Sequence, residues 1–373
     1  MLDFTSVLYL GMSHPHRALR SWRQLTTGRP VALQSPAAAE RVADDLARLT
    51  GFEKATMGPS STHLYWDIFE VLSGEGIAIF VDDGTYPIAR WGVERAAAKG
   101  VRAMVFPKHD PGALRAALDR GADGGARPVV VTDALCPLTG RAAPLPEYAR
   151  LVRRHGGFLV VDDTQGLGLL GRTPSPDRPY GLGGGGTLAW FGLSGPDVIV
   201  ISSLAKGFGV PIAMIGSGRR TIERFKALSQ TRVHCSPPSI AAIHAVENAL
   251  RMNAILGSAL RSRLLGLVRL FRAGLRAIGL AAHGGLFPFQ TLRTKHGEDV
   301  GAIHTSLLRQ GIRTLLHQAR PRRDVLLSFV ITAPHTASDI ARALQALRAR
   351  HDFFGESIAT PPNECPMNQG VKP

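Results

Sequence analysis

Two stretches decide how this chain is read: VVDDTQGLG at residues 160–168 and SSLAKGFG at residues 202–209. The second places Lys206 just after an apolar run and just before Gly207 and Gly209. A lysine at a strand end, stripped of water, gives up its proton more readily and can attack a carbonyl carbon. Arginine cannot replace it there, because it stays protonated. The same octet also reads as a surface lysine in a turn. The first stretch ends an apolar run in two carboxylates, Asp162 and Asp163. A carboxylate at that place can keep a proton on a pyridine nitrogen. It can also cap the next turn. A metal site is a third reading, for which the segment offers too few ligands.

Outward from these two stretches the chain alternates. Short apolar runs at residues 76–81, 102–106, 128–132, 157–161 and 197–202 predict buried strands. Helix-period segments at 37–50, 111–120 and 146–155 predict helices, with Gly51 as the C-cap of the first. Nearly continuous apolar strands alternating with helices predict an α/β fold whose sheet is mainly parallel and covered on both faces. The glycine- and proline-rich stretch 174–195 predicts a loop. Residues 239–280 read as one long helix, 287–292 and 325–331 as strands, and 337–350 as a helix that Ser338 can cap. The expected division is an N-terminal segment 1–45, a large domain 46–250, a small C-terminal domain 251–350 and a poorly ordered polar tail 351–373.

Composition narrows the class. With 373 residues, 45% apolar and 20% charged, wholesale disorder is excluded. Three cysteines, Cys136, Cys235 and Cys365, without a C-x-x-C pair, exclude a disulfide scaffold and a cysteine zinc site. No apolar run reaches the ~18 residues of a membrane span, and no secretory signal is read at Met1. Cytoplasmic residence is therefore expected. The net charge of +15 comes mostly from arginines spread along the chain, with one tight cluster at Arg320, Arg322 and Arg323. That spread predicts a solvated basic surface rather than a nucleic-acid site, and its field favours anionic ligands.

Taken together, VVDDTQGLG and SSLAKGFG resemble the pyridoxal-phosphate enzymes of fold type I, and more narrowly the α-oxoamine synthases. Three further segments carry the resemblance: LDFTSVLYLGMS at 2–13, VVTDALCPLTGRAAPLPEY at 130–148 and SFVITAPHTASDI at 328–340. It covers residues 2–348. It implies that Lys206 holds pyridoxal 5'-phosphate as an imine, that Asp162 partners the pyridinium, and that Gln165 stands where a histidine usually meets the cofactor's phenolic oxygen. Ser203 falls on a phosphate-binding hydroxyl. Ser60, Ser61 and Thr62, in GPSSTHLYW, fall on the loop and helix start that hold the phosphate. A helix N-terminus with hydroxyls is an anion site in its own right, though Ser-Ser-Thr also reads as an ordinary N-cap. Tyr86 falls on the family histidine that stacks over the ring, and could equally be a packing residue beside Pro87. His234 falls on a residue that contacts the neighbouring subunit's phosphate, or is simply a satisfied polar group.

The resemblance further implies a homodimer and a decarboxylative condensation of a small amino acid with an acyl thioester, delivered by coenzyme A or a carrier protein. An aminotransferase, an aldolase-type lyase or another carbon–carbon bond-forming enzyme acting on an unusual amino acid is the alternative. A non-catalytic or nucleic-acid-binding protein would need neither Lys206 nor Asp162. The chain also departs from the family. Gln165 cannot trade protons as a histidine does. Pro137 replaces a serine donor. DVLLSF, around Ser328, lacks the arginine that clamps the substrate carboxylate, a task that would pass to Arg320, Arg322, Arg323 or His317. These departures point to a divergent, secondary-metabolic role.

Overall fold

The computed structural model describes residues 1–121, 125–294, 299–318 and 325–351, which form two compact units. The larger consists of residues 12–135 and 142–257. Its centre is a seven-stranded sheet in the order Lys54–Gly58, Ala213–Ser217, Val198–Ser203, Phe158–Asp162, Arg127–Asp133, Ile77–Asp82, Arg102–Phe106. Neighbours run parallel except Ala213–Ser217, which is antiparallel to both strands beside it. The mainly parallel α/β sheet expected from the apolar runs is therefore present. Val129, Val130, Val131, Val160, Val161, Ile199 and Ile201 are fully buried, on both faces of the sheet. That is why their segments read as unbroken apolar runs rather than alternating ones.

Strand register sets the site. Asp133 pairs with Asp162, and Asp162 with Ile201, so two neighbouring strands end level at their carboxyl edge and the third runs two residues further, to Ser203. The chain leaves Ser203 at that edge and turns through Lys206. In open parallel sheets this edge is where ligands bind. Helix Ser61–Ser73 packs beside helix Pro87–Ala98, close enough that a side chain on Gly92 would meet the Tyr65 carbonyl at 2.4 Å.

The smaller unit comprises residues 1–11, 136–141 and the described residues from 258 to 351. An antiparallel sheet orders Ala282–His283, Phe289–Leu292, Val325–Val330 and Leu315–Gln318. Phe4 stacks on His335 with ring centroids 4.4 Å apart, while Leu2–Asp3 pairs with Ile312–Arg313. Of helix Ile240–Ala277, residues 240–257 belong to the larger unit and 258–277 to the smaller.

Two expectations need correction, and one strand was not expected. Helix Ala337–His351 is capped by Thr336, not Ser338: Thr336 Oγ1 accepts the Asp339 N–H at 3.1 Å, and Asp339 Oδ2 accepts the Thr336 N–H at 2.8 Å. This reciprocal pair is a capping box, with the cap before the helix and the carboxylate three residues on. The stretch 174–195 is not wholly loop, because Thr187–Trp190 forms one helical turn. Ala213–Ser217 is a strand although AMIGS lacks a β-branched run; two flanking strands supply its hydrogen bonds. From residue 352 on, the expected disordered tail lies outside the described residues. No helix among the described residues is long and apolar enough to cross a membrane.

Candidate active site

Lys206 lies half-buried in the turn after Val198–Ser203. Burial pushes its ammonium below the ordinary lysine range, and the carboxylates of Asp162 and Asp133 pull it partly back. Among the described residues its Nζ makes no hydrogen bond or ion pair. It is thus a desolvated amine that no carboxylate has claimed, the state in which lysine is nucleophilic.

The two carboxylates of Val-Asp-Asp part company, as strand geometry requires of neighbours. Asp162 turns toward Lys206's side of the sheet edge. Its Oδ1 accepts the Thr164 N–H at 2.9 Å and its Oδ2 accepts the Tyr65 O–H at 3.2 Å. Asp163 turns inward and is buried. Its Oδ2 accepts the backbone N–H of Thr187 at 2.6 Å, anchoring the helical turn Thr187–Trp190. Burial pushes the Asp163 carboxyl up to about 7, with those hydrogen bonds and the neighbouring Asp162 as smaller influences. Gly186, at φ 100°, precedes this turn; a side chain there would strike Asp163 Oδ2.

The remaining sequence-predicted residues vary in how firmly they join this group. Thr164 Oγ1 accepts the Ser203 N–H at 2.9 Å, tying the two motifs together, and Ser203 Oγ accepts the Ala205 N–H at 3.3 Å. Gln165 is half-buried in the turn closed by Gly166 N–H donating to the Asp163 carbonyl. Tyr86 donates its N–H to Asp133 Oδ1 at 3.0 Å, and its side chain is exposed rather than packed in the core. Ser60 stands at the N-cap of Ser61–Ser73, but its Oγ meets His63 Nδ1 at 2.9 Å and caps no backbone N–H. The first-turn N–H groups, with half-buried Ser61 and Thr62, are thereby left without a side-chain cap. His234 is exposed at the end of Gln230–His234, with no hydrogen bond among the described residues to tie it to the others.

Of the residues named for the missing arginine, Arg320, Arg322 and Arg323 lie outside the described residues. His317 belongs to the smaller unit, where Nε2 lies 2.8 Å from the Ser328 hydroxyl; Thr291 Oγ1 lies 2.9 Å from the same oxygen. Two residues of the site escaped the sequence: Asp133 and Tyr65. A signal for the first existed, since its run ends in aspartate just as that of Asp162 does. Tyr65 looked like any core aromatic of a helix. Among the described residues no group of three or more His, Cys, Asp or Glu is arranged to hold a metal ion.

Comparison with known proteins supplies an independent view. The sequence profile described as aminotransferase class I and II matches residues 2–347. The 8-amino-7-oxononanoate synthase of Dechloromonas aromatica is 27% identical over 314 residues, 83% of this chain and 77% of that protein. A serine palmitoyltransferase from S. paucimobilis, solved with a bound pyridoxal phosphate–myriocin aldimine, superposes with TM-score 0.80 at 19% identity, over 94% of this chain and 87% of that one. The 8-amino-7-oxononanoate synthase of Francisella tularensis superposes with TM-score 0.71 at 17% identity, over 95% and 98%. At these identities the structural likeness is one of fold, the fold type I expected from the two motifs.

Proposed function

The chain belongs to the aminotransferase class I and II family, and from that premise we propose that it is a pyridoxal-phosphate enzyme joining a small amino acid to an acyl thioester with loss of carbon dioxide. The observation that carries the reading is Lys206: an amine partly desolvated, unpaired among the described residues, and set beside Asp162 at the carboxyl edge of a parallel sheet. The relatives named 8-amino-7-oxononanoate synthase support the reaction class.

The residues present fit the cofactor. Lys206 Nζ would hold its aldehyde carbon, Asp162 its ring nitrogen, and the open first turn of Ser61–Ser73, with Ser203, its phosphate. Bound there, pyridoxal phosphate supplies an electron sink for a carbanion at the substrate's Cα. The chain's own groups do the rest. Asp162 is held by two donors, which would keep its carboxylate in place for a ring nitrogen. Lys206 Nζ, kept below the ordinary lysine range by burial, would be the base for the Cα proton. Gln165 donates or accepts a hydrogen bond without titrating. The site is assembled as a homodimer in this reading, with His234 facing the partner.

The test is a panel of amino acids, each paired with short and long acyl thioesters of coenzyme A and of a carrier protein. Release of free thiol together with carbon dioxide, dependent on Lys206, is expected for at least one pair. Amino-group transfer to an oxoacid without thiol release would replace this reading with an aminotransferase.

A further inference from the structure

We propose that Tyr65 is a positioning residue for Asp162, whose hydroxyl keeps the proton shared between that carboxylate and a bound pyridine ring on the ring nitrogen. The inference rests on the reading of Asp162 as the ring's partner. It starts from a contact that spans the sequence, Tyr65 Oη to Asp162 Oδ2 at 3.2 Å.

Tyr65 is completely buried, and its phenol is held well above the ordinary phenol range, by burial first and then by Asp162 and Asp133. The hydroxyl therefore keeps its proton and is the donor. Its ring cannot swing away. It stacks on Phe69 with centroids 6.2 Å apart, and helix Pro87–Ala98 comes so close that only glycine fits at residue 92. Asp162 Oδ2 retains a second lone pair for a ring N–H, so donation from Tyr65 does not compete with the cofactor.

Two arrangements of the shared proton are available: pyridinium with carboxylate, or neutral pyridine with carboxylic acid. Asp133 stands level with Asp162 on the next strand, so its carboxylate is a like charge beside the one the ion pair needs. A phenol donating to Asp162 stabilises the charged carboxylate and pushes back toward the ion pair. Lys206, the nearby cation, is reserved for the aldehyde and cannot be relied on for this. Tyr65 and the Thr164 N–H are the two donors that hold the charge on Asp162, and Tyr65 is the one supplied by a side chain. The proton moves only between ring nitrogen and carboxylate oxygen; no other bond changes.

Wild-type protein and Tyr65→Phe, both loaded with ring-15N pyridoxal phosphate, would be compared by 15N NMR. The wild-type resonance is expected at the protonated-pyridine position. In Tyr65→Phe it should move toward the unprotonated position, by an equilibrium shift on the order of 10-fold, the worth of one hydrogen bond to a charge. Asp162→Asn marks the unprotonated limit. A purely packing role for Tyr65 would leave the resonance in place, because phenylalanine keeps the ring; an unmoved resonance overturns the inference. Should Tyr65→Phe not fold, 4-fluorophenylalanine at residue 65 keeps the ring and fills the hydroxyl's place without a donor, and is read the same way. Failure of the wild-type chain to take up cofactor would overturn the proposed function and this inference together. Uptake with an unmoved resonance overturns this inference alone.

Discussion

Asp162 and Asp163 are adjacent, chemically identical and assigned opposite work. One faces the site with two donors on its oxygens; the other is buried and anchors Thr187–Trp190. The consequence for Asp163 is a pH dependence of known sign. Its folded carboxyl, at about 7, lies above the ordinary 3.8. The folded chain therefore binds that proton more tightly than the unfolded chain. The stabilisation is complete below about pH 4 and is lost as pH rises through about 7, by on the order of 4 kcal/mol. Asp163→Asn removes this titration. Denaturant midpoints measured from pH 4 to pH 8 should fall with pH in wild type more steeply than in the variant. Parallel profiles would show that Asp163 does not carry the proton. The residues alone offered the pair with no asymmetry beyond the alternation that sends neighbours to opposite faces, and the family resemblance picked Asp162.

At the scale of elements, two glycines in helices make opposite predictions. Gly92 sits where Pro87–Ala98 crosses Ser61–Ser73, and an added Cβ would lie 2.4 Å from a backbone oxygen. Gly92→Ala should force the helices apart and cost about 2 kcal/mol. Gly266 is exposed within Ile240–Ala277 and an added Cβ would meet nothing within 4 Å. Gly266→Ala should stabilise by about 0.5–1 kcal/mol, because alanine loses less backbone freedom in a helix. Urea unfolding of both variants checks the pair; equal signs would contradict the packing described. The sequence places Gly266 in the helix-period stretch 239–280 and predicts no element around Gly92, so nothing in it told how closely either glycine is packed. What separates them is a second helix brought alongside by the sheet. The same holds for Ala213–Ser217, which becomes a strand only between two partners.

At the scale of the whole molecule, the net charge of +15 favours an anionic cofactor, and ligand binding to the folded chain raises its stability by mass action. Pyridoxal phosphate at 100 times its dissociation constant should stabilise the protein by about 2.7 kcal/mol. Thermal melting should show a rise that shrinks with added salt and falls sharply in Lys206→Ala. An equal rise with inorganic phosphate alone would mean that only the anion site is being filled. By itself the sequence determined the alternation of buried strands and helices, and the two motifs that carry Lys206 and Asp162. Those are local: hydrophobic period and residue chemistry are written within a few turns of chain. Only the tertiary structure decided that Asp133 stands level with Asp162, that Asp163 turns away to Thr187, and that the Tyr65 hydroxyl reaches the Asp162 carboxylate. Each of those contacts joins residues distant in sequence. Strand register and helix packing set them, and neither leaves a mark on any short stretch of residues.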